Sequence, residues 1–232
     1  QIKAMAAPGD SSTYYVSSDG NDSNPGTEAQ PWRTLQKVHS HDFVAGDRIL
    51  FRKGDIWEGG LVIDDSGLQG NPIIFSAYGT GDKPVFKNPG GSDNWTSAIE
   101  VDADWVVVDG FELRDAYYAG VHIKTGAENN IVRNCEATSV GQGVVLSGEK
   151  NLVTNNYMHD LTMVRNTPGG DDDFGAQGVK LYGSYNEVSY NTVVNAIAPS
   201  YDYETDGGVI EWWGDVDGCY IHHNYGAWSD GF

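Results

Sequence analysis

The second half of the chain repeats a short pattern, and this repeat restricts the fold more than any other feature of the sequence. Four segments combine apolar residues with a final asparagine, and a fifth segment ends in aspartate: 130–134, 151–155, 187–191, 220–224 and 106–109. Their last residues lie at positions 109, 134, 155, 191 and 224, at intervals of 25, 21, 36 and 33 residues. A minimum of 21 to 25 residues, enlarged by insertions, predicts the coils of a solenoid that carries loops.

A second repeat precedes the first one in each coil. The segments 119–123, 142–146 and 177–181 each contain a glycine followed by residues that alternate between the two faces of a short strand. Each coil is therefore expected to hold a strand led by glycine, a turn, a second strand, an asparagine bend and a third strand. We expect the bend asparagines to adopt left-handed backbone geometry and to form a hydrogen-bonded ladder between coils. An ordinary β-sandwich with coincidental similarity is the alternative.

Composition and charge agree with an all-β chain and exclude some partners. The 232 residues include 30 glycines and 12% aromatic residues, which suits short strands and tight turns. The formal net charge of -19 makes nucleic acid and anionic membranes poor partners. It also opposes a polyanionic polysaccharide unless a cation or a local basic patch reverses the field. The sequence contains no run of 18 apolar residues, so no membrane span is predicted.

The two cysteines, Cys135 and Cys219, are expected to be unpaired. They lie three coils apart, which at about 4.8 Å per coil is roughly 14 Å. A disulfide needs Cα atoms within roughly 7 Å of each other. Both thiols are therefore predicted to remain free, stacked into the core.

Three N-terminal segments resemble the opening of many secreted bacterial β-helix proteins: YYVSSDGNDSNPGT at 14–27, PWRTLQKV at 31–38 and AGDRILFRKGD at 45–55. With the repeats, they make the chain similar to the right-handed parallel β-helix superfamily of pectate, alginate and chondroitin lyases and several glycoside hydrolases. The resemblance implies an all-β, right-handed parallel β-helix whose open end is covered by an amphipathic capping helix at about 31–40. It also implies a secreted protein.

The expected organisation is a tail at 1–13 and one β-helix domain at 14–232, with the cap to about 60 and coils from about 61. The chain stops at Phe232 directly after an asparagine coil, with no closing cap in the sequence. A solenoid open at that end exposes strand edges. We therefore expect a solenoid truncated at its C-terminal end, with further coils or domains in a longer chain, or another chain that covers this end.

One column of side chains is predicted to form a groove. The alternation in the strands led by glycine points Glu100, His122, Val145 and Lys180 away from the core, and aligning Leu181 with Trp212 places Glu211 beside Lys180. Charged side chains stacked at about 4.8 Å pack poorly, so this column is expected to face a substrate. By the same alternation, one of the two tryptophans at 212–213 is expected to be buried.

Two long insertions, at about 159–176 and 195–207, open onto the strands of Lys180 and Glu211. In the resembling families this sheet and its loops form the substrate cleft. Lys180 and Glu211 are therefore the candidate catalytic residues, although a plain salt bridge would explain the same pair. The candidate substrate-binding residues are His122, Arg165, Tyr201, Tyr203 and Trp213. The candidate ligands of a calcium ion are Asp171, Asp172, Asp173 and Asp206, with a solvated acidic loop as the alternative.

Three functions remain open at this point. A lyase that cleaves a uronic-acid polysaccharide by β-elimination would use Lys180 as the base, as the resemblance implies, with a cation near the acidic loop. A glycoside hydrolase would use two carboxylates that flank the bond, such as Glu211 with Asp173 or Asp206. A non-catalytic solenoid would only bind carbohydrate. The arginine-rich signature of pectate lyases and the polygalacturonase-type motifs are absent from the sequence.

Overall fold

The structure is a computed structural model that describes residues 11–91 and 95–231. The predicted tail at 1–13 therefore lies mostly outside the described residues, as does Phe232. Within the described part, helix α1 spans Leu35–His39 and begins after Thr34, whose side-chain oxygen accepts a hydrogen bond from the backbone N–H of Lys37. It is shorter than the segment predicted for the cap. No helix in this part of the chain has the length and apolar character that crossing a membrane requires.

Almost every other regular element is a strand, because short alternating segments separated by turn residues cannot extend a helix. The strands are β1 Thr13–Val16, β2 Arg48–Arg52, β3 Ile56–Glu58, β4 Leu61–Ile63, β5 Ile73–Tyr78, β6 Val85–Lys87, β7 Ser97–Val101, β8 Val106–Asp109, β9 Glu112–Ile123, β10 Ile131–Arg133, β11 Glu136–Leu146, β12 Leu152–Thr154, β13 Tyr157–His159, β14 Met163–Arg165, β15 Phe174–Gly175, β16 Gln177–Leu181, β17 Glu187–Ser189, β18 Thr192–Ala196, β19 Ala198–Ser200, β20 Glu204–Asp206, β21 Gly208–Trp212, β22 Tyr220–His222 and β23 Tyr225–Ser229.

The strands form three parallel faces that wind around one core. Face A has the order β1-β2-β5-β8-β10-β12-β17-β22. Face B has the order β3-β6-β9-β11-β13-β18-β23, and face C is formed by β4, β7, β9, β11, β16 and β21. The long strands β9 and β11 turn the corner between faces B and C, with a register shift between Val140 and Gln142. This is the predicted parallel β-helix, and its faces already begin with β1 to β3, inside the region expected to be only a cap.

The glycines that lead the strands of face C are needed for close packing of neighbouring faces. A Cβ on Gly143 would lie 2.4 Å from Met158 Sδ, and one on Gly178 would lie 2.6 Å from Val193 Cγ2. Both distances are shorter than a carbon can approach another heavy atom. The glycine at the start of each repeat therefore lets faces B and C meet at the corner.

Asparagine ladders run between the coils, as predicted; Asn191 and Asn224 belong to one of them, whereas the other two predicted residues lie one position before it. Asn134 and Asn155 adopt left-handed φ angles of 54° and 55° and are exposed. The ladder lies at the next position, where Asn156 N donates to Asn191 Oδ1 at 3.0 Å and Asn191 N donates to Asn224 Oδ1 at 3.0 Å. The prediction was wrong in treating these as one column, because only one side chain can occupy the bend and only its neighbour points inward.

A second ladder lies at the start of face A. Asn130 N donates to Asn151 Oδ1, and Asn151 N donates to Asn186 Oδ1, each at 2.8 Å. All three side chains are buried. These amides satisfy backbone groups at the corners, where the ladder bonds between strands stop.

The core between the faces is filled by aliphatic and aromatic side chains. Phe51, Phe86 and Phe111 are fully buried and meet edge to face, with ring centroids 5.0 Å and 4.9 Å apart along the stack. Cys135 is buried and Cys219 is partly buried, and both are free, as predicted. Burial raises the pKa of the Cys135 thiol to about 11, so this sulfur behaves as a small apolar side chain.

Candidate active site

The predicted column on face C is present in the predicted register. Glu100 pairs with His122, His122 with Val145, Val145 with Lys180, and Lys180 with Glu211. Leu181 also pairs with Trp212, the alignment on which the position of Glu211 depended. The parallel register therefore places the two candidate catalytic residues on neighbouring coils of one face.

The middle of this column, Val145 and Lys180, is buried, contrary to the expectation of an open groove, whereas Glu100, His122 and Glu211 are half-buried. Val145 is fully buried and packs in a small cluster with Tyr118 and Val164, with Phe174 against it. Lys180 is only 2% exposed. The covering residues come from the insertion 159–176, which the repeat pattern does not describe. The face is open at its C-terminal end and also at its N-terminal end, where Val62 pairs with Glu100 and is 45% exposed.

His122 lies under this cover. Its Nε2 is 3.1 Å from Ser147 Oγ, and its ring meets the ring of Tyr118 edge to face with centroids 5.3 Å apart. Burial lowers the pKa of His122 to about 4, so the imidazole is neutral near pH 7. Its role in substrate binding stays a prediction.

The two insertions fold as antiparallel hairpins that join each other. The first hairpin pairs β14 with β15, and the second pairs β19 with β20. Asn166 Nδ2 donates to Pro199 O at 2.9 Å, and Tyr201 N donates to Asn166 Oδ1 at 3.1 Å. The pair of hairpins forms one wall above the strands of Lys180 and Glu211.

A cleft of about 380 Å³ lies between this wall and the last strand of face C. Its lining combines carboxylates, aromatic rings and one buried amide: Asp173, Phe174, Gln177, Tyr203, Thr205, Asp206, Gly207, Glu211, Trp213, Asp230 and Gly231. Aromatic rings beside hydrogen-bonding groups are typical of sites that hold small polar molecules with one apolar surface.

Glu211, which lines the cleft, forms an ion pair with Lys180, which is buried and does not itself line the cleft. Lys180 Nζ lies 2.8 Å from Glu211 Oε1, and the Trp213 ring centroid lies 4.9 Å from the same nitrogen. The Tyr182 ring is also near it, at 5.7 Å. Burial lowers the pKa of Lys180, while the hydrogen bond and charge of Glu211 act in the opposite direction. The result is an amine that loses its proton more readily than an exposed lysine.

The two adjacent tryptophans are both exposed, at 58% for Trp212 and 61% for Trp213. The alternation therefore failed at Trp212, which pairs with the buried Leu181 but lies on the last described strand of face C, where no further described strand packs beside it. The indole N–H of Trp213 donates to Glu211 Oε1, the oxygen that also contacts Lys180. Trp213 is thereby held as the cover of the ion pair.

Asp206 provides a second, different carboxylate in the cleft. Burial raises the pKa of Asp206, and the negative charges of Glu211 and Asp230 raise it further. The backbone N–H of Gly207 and the charge of Lys180 partly oppose this change. A carboxyl group in such surroundings holds its proton to a higher pH than an ordinary aspartate.

The candidate metal ligands are not brought together as one set. Asp172 and Asp173 join Asp202, with one oxygen of each carboxylate within 4.8 Å of the others, whereas Asp171 and Asp206 lie outside this group. Asp171 instead bonds to Tyr203, and this hydrogen bond raises the pKa of the Tyr203 phenol to about 12.

The hydrogen bonds of this carboxylate cluster show that it fastens the hairpins together. Asp173 accepts from the backbone N–H groups of Thr167, Tyr201 and Asp202 at 2.6, 2.9 and 3.1 Å and from Ser200 Oγ at 2.8 Å. These four donors use the acceptor directions of one carboxylate and lower the pKa of Asp173 despite its burial.

Asp202 also accepts from the backbone N–H of Asp172, and Asp172 pairs with Arg165 at 2.6 Å. A calcium ion would have to displace these donors, so the cluster does not fit calcium as folded. Arg165 is accordingly held by Asp172 rather than free for substrate. Tyr201 is largely exposed, and its backbone N–H bonds to the hairpin wall.

Sequence reasoning missed several residues of the cleft. Gln177 leads β16 and Phe174 ends the first hairpin, and neither carries a motif that would have identified it. Asp230 belongs to the last described residues and reaches the cleft through the winding of the coil. The signal for Gln177 was available, because Gln142 and Gln177 occupy equivalent positions in two neighbouring repeats.

The fold has known counterparts. The structure of pectate lyase Pel9A has a TM-score of 0.65 and 20% identity to this chain, and the match covers 89% of this chain and 54% of that one. A rhamnogalacturonan lyase has a TM-score of 0.69 and 18% identity, with coverage of 95% and 70%. GH136 lacto-N-biosidase from Eubacterium ramulus has a TM-score of 0.59 and 17% identity, with coverage of 93% and 56%. The chain thus spans about half the length of two of these proteins.

A family described as "Pel9A-like, right handed beta helix region" matches residues 14–197. This stretch runs from the first strand of face A through β18 and includes the first hairpin, so it covers most of the chain and most of the coils. The sequence match and the shared fold agree on a right-handed winding of the parallel faces. The chain therefore belongs to the Pel9A-like right-handed β-helix family.

Proposed function

We propose that this protein acts on polysaccharides, as a lyase that cleaves a uronic-acid-containing chain by β-elimination. The observation that carries the proposal is Lys180, a buried amine with a lowered pKa that contacts Glu211 and Trp213 in the wall of a cleft lined by aromatic and acidic residues. The pectate and rhamnogalacturonan lyases with the same fold support the choice of reaction. A secreted protein and an extracellular polymer belong to the same proposal.

In this reaction the neutral amine of Lys180 takes the proton from C5 of the uronate. The electron pair forms the double bond between C4 and C5, and the C4–O bond to the leaving sugar breaks. Asp206, which holds its proton to a higher pH than an ordinary aspartate, supplies the proton that the leaving oxygen takes up. Because Lys180 is covered by Trp213 and bonded to Glu211, both side chains must give way when the sugar enters.

Calcium enters the proposal at the cleft rather than at the carboxylate cluster of the hairpins. Besides burial, the charges of Glu211 and Asp230 raise the pKa of Asp206, which indicates a negative field at this wall. Glu211 and Asp230, together with the carboxylate of the uronate, would hold the ion, while Asp206 keeps its proton for the leaving oxygen. Bound there, calcium would neutralise the uronate carboxylate and so make the C5 proton more acidic.

The test is to incubate the protein with pectate, rhamnogalacturonan, alginate and chondroitin and to follow the ultraviolet absorbance of the unsaturated product. Lys180→Arg keeps the positive charge but cannot serve as a base near neutral pH, so we expect a loss of about 10²-fold or more in kcat. The exposed Lys150→Arg is the matched control and should retain full activity. An unchanged rate in Lys180→Arg would remove Lys180 as the base.

A glycoside hydrolase is the second candidate, favoured by the two unlike carboxyl groups of the cleft. Asp206 has a raised pKa, whereas Glu211 is paired with Lys180, and such a difference separates an acid from a base or nucleophile. New reducing ends without an unsaturated product would identify this reaction, and Asp206→Asn and Glu211→Gln should both abolish it. If a polysaccharide gel retards the protein but no polymer is cleaved, the protein is a carbohydrate-binding solenoid without catalytic activity.

A further inference from the structure

Gln177 is a buried amide at the start of β16 that lines the cleft. It is 1% exposed and shares the cleft with Asp206 and Glu211. Its neighbour in the next coil is Gly208, which adds no side chain to this column. A Cβ on Gly208 would have no heavy atom closer than Gly231 O at 3.8 Å. The space beside Gln177 therefore stays open towards the cleft.

The amide of Gln177 is oriented from the opposite side by Gln142, its neighbour in the previous coil. Gln142 is fully buried, and its Nε2 donates to Gln177 Oε1 at 2.5 Å. This bond uses the oxygen of Gln177 and leaves its nitrogen directed away from Gln142. Among the described residues, no protein acceptor receives a hydrogen bond from Gln177 Nε2.

The same pair contains an unsatisfied buried atom. Gln142 Oε1 has no hydrogen-bond partner within the described part of the structure. A buried acceptor without a partner lowers stability. An apolar residue at this position would avoid that loss, so the arrangement is not explained by packing of the fold alone.

The chemistry of the surrounding wall defines what Gln177 can recognise. Asp206, Glu211 and Asp230 present carboxylates to the cleft, and the nitrogens of Lys180 and Trp213 already contact Glu211. Gln177 Nε2 is therefore an uncommitted neutral N–H donor in a site dominated by acceptors. Its ligand must bring an oxygen acceptor, as sugar hydroxyl, ring and carboxylate groups do.

We propose that Gln177 is a specificity-determining residue that donates a hydrogen bond to an oxygen of the sugar bound beside Glu211, and that Gln142 is its positioning residue. This inference rests on the proposed function, because it assumes that the cleft holds a polysaccharide. A site with a buried donor discriminates strongly against a sugar that lacks the matching acceptor. Gln177, positioned by Gln142, thus recognises one oxygen of the substrate, and neither residue takes part in the proton transfers.

The experiment measures binding and cleavage separately. Migration through gels that contain pectate, rhamnogalacturonan or alginate gives the affinity, and product formation on the same polymers gives kcat and KM. Gln177→Met keeps the size of the side chain and removes the donor, so we expect binding about 10-fold weaker or more. Gln142→Met should weaken binding by a smaller factor and raise KM more than it lowers kcat. The exposed Gln69→Met is the matched control and should bind like the wild type.

A second readout keeps the result independent of folding. The melting temperature of each variant shows whether it is folded, and the side-chain NH₂ signals of Gln177 in the free protein report its hydrogen bond to Gln142. We expect Gln142→Met to shift these signals. Unshifted signals would remove Gln142 as the positioning residue.

The possible outcomes separate this inference from the proposed function. If Gln177→Met binds the polymers as tightly as the wild type does, the inference is overturned and the proposed function is not affected. If Gln177→Met loses binding and the wild type binds but releases no unsaturated product, the inference is supported and the lyase proposal is wrong. A folded wild type that neither binds nor cleaves any of the polymers overturns both.

Discussion

At the scale of single residues, Asp206 is held in surroundings that disfavour its charge. Burial and the charges of Glu211 and Asp230 raise its pKa in the folded state above the value of 3.8 that it has when unfolded. The folded protein then binds this proton more tightly, so stability falls as the pH rises from 3.8 through the folded pKa. Above the folded pKa, the charged Asp206 lowers the free energy of unfolding by the full amount.

Asp206→Asn is therefore expected to stabilise the protein at pH 7 by about 0.5–1 kcal/mol while it lowers activity. Thermal unfolding at pH 7 and at pH 3 measures the effect, which should vanish at the lower pH because the wild-type carboxyl is then protonated. The exposed Asp102→Asn should leave the melting temperature unchanged. A wild type that is more stable than Asp206→Asn at pH 7 would contradict this assignment of the charges.

At the scale of secondary-structure elements, the asparagine ladder stabilises the corner between faces A and B. Asn191 Oδ1 accepts from both the backbone N–H and the side-chain Nδ2 of Asn156, and Asn191 Nδ2 donates to Val153 O at 2.9 Å. Asn191→Ala leaves these buried groups unpaired, which should lower the free energy of unfolding by about 2–4 kcal/mol.

Asn155→Gly is the matched control for the ladder, because Asn155 is exposed and has a φ of 55° that glycine adopts without strain. Its free energy of unfolding should stay within about 0.5 kcal/mol of the wild type. Urea unfolding of both variants gives the comparison. Equal losses of stability would mean that the bend and the ladder contribute alike.

The two hairpins form a separate element. Asp173 belongs to the first hairpin, and its hydrogen bonds hold that hairpin together and join it to the second. Asp173→Ala removes four hydrogen bonds at once, from Thr167, Ser200, Tyr201 and Asp202. Because few core contacts hold the hairpins, we expect local opening: amide exchange in residues 163–175 and 198–206 should accelerate about 10-fold or more. The main unfolding transition should change little.

The exposed Asp215→Ala serves as the acidic control in this exchange experiment. A chelator should leave the exchange rates of the wild type unchanged, since N–H and O–H donors occupy the carboxylates where calcium was first expected. Slower exchange on addition of calcium would instead show that the ion displaces those donors.

At the scale of the whole molecule, the repeat was sufficient to predict the winding and the register of face C. Equivalent glycines and asparagines recur in each coil, so the partner of Lys180 could be identified before the structure. The burial of Val145 could not, because Val164 and Phe174, which pack on it, lie in an insertion that has no equivalent in the other coils. The ladder was predicted correctly at Asn191 and Asn224 but one residue too early at Asn134 and Asn155, because Phe111 and Cys135 occupy its position in the earlier coils and hide the asparagine pattern there.

The net charge of -19 sets how the whole molecule meets an anionic polymer. Repulsion between like charges slows association, and salt weakens that repulsion over a Debye length of about 10 Å at 0.1 M. Affinity for pectate or alginate should therefore rise several-fold between about 0.02 and 0.2 M NaCl and rise further with millimolar calcium. A neutral glycan should show neither change. Migration in polymer-containing gels across this salt range measures the effect, and affinity that falls with salt would indicate instead that a local basic patch, and not the overall charge, governs binding.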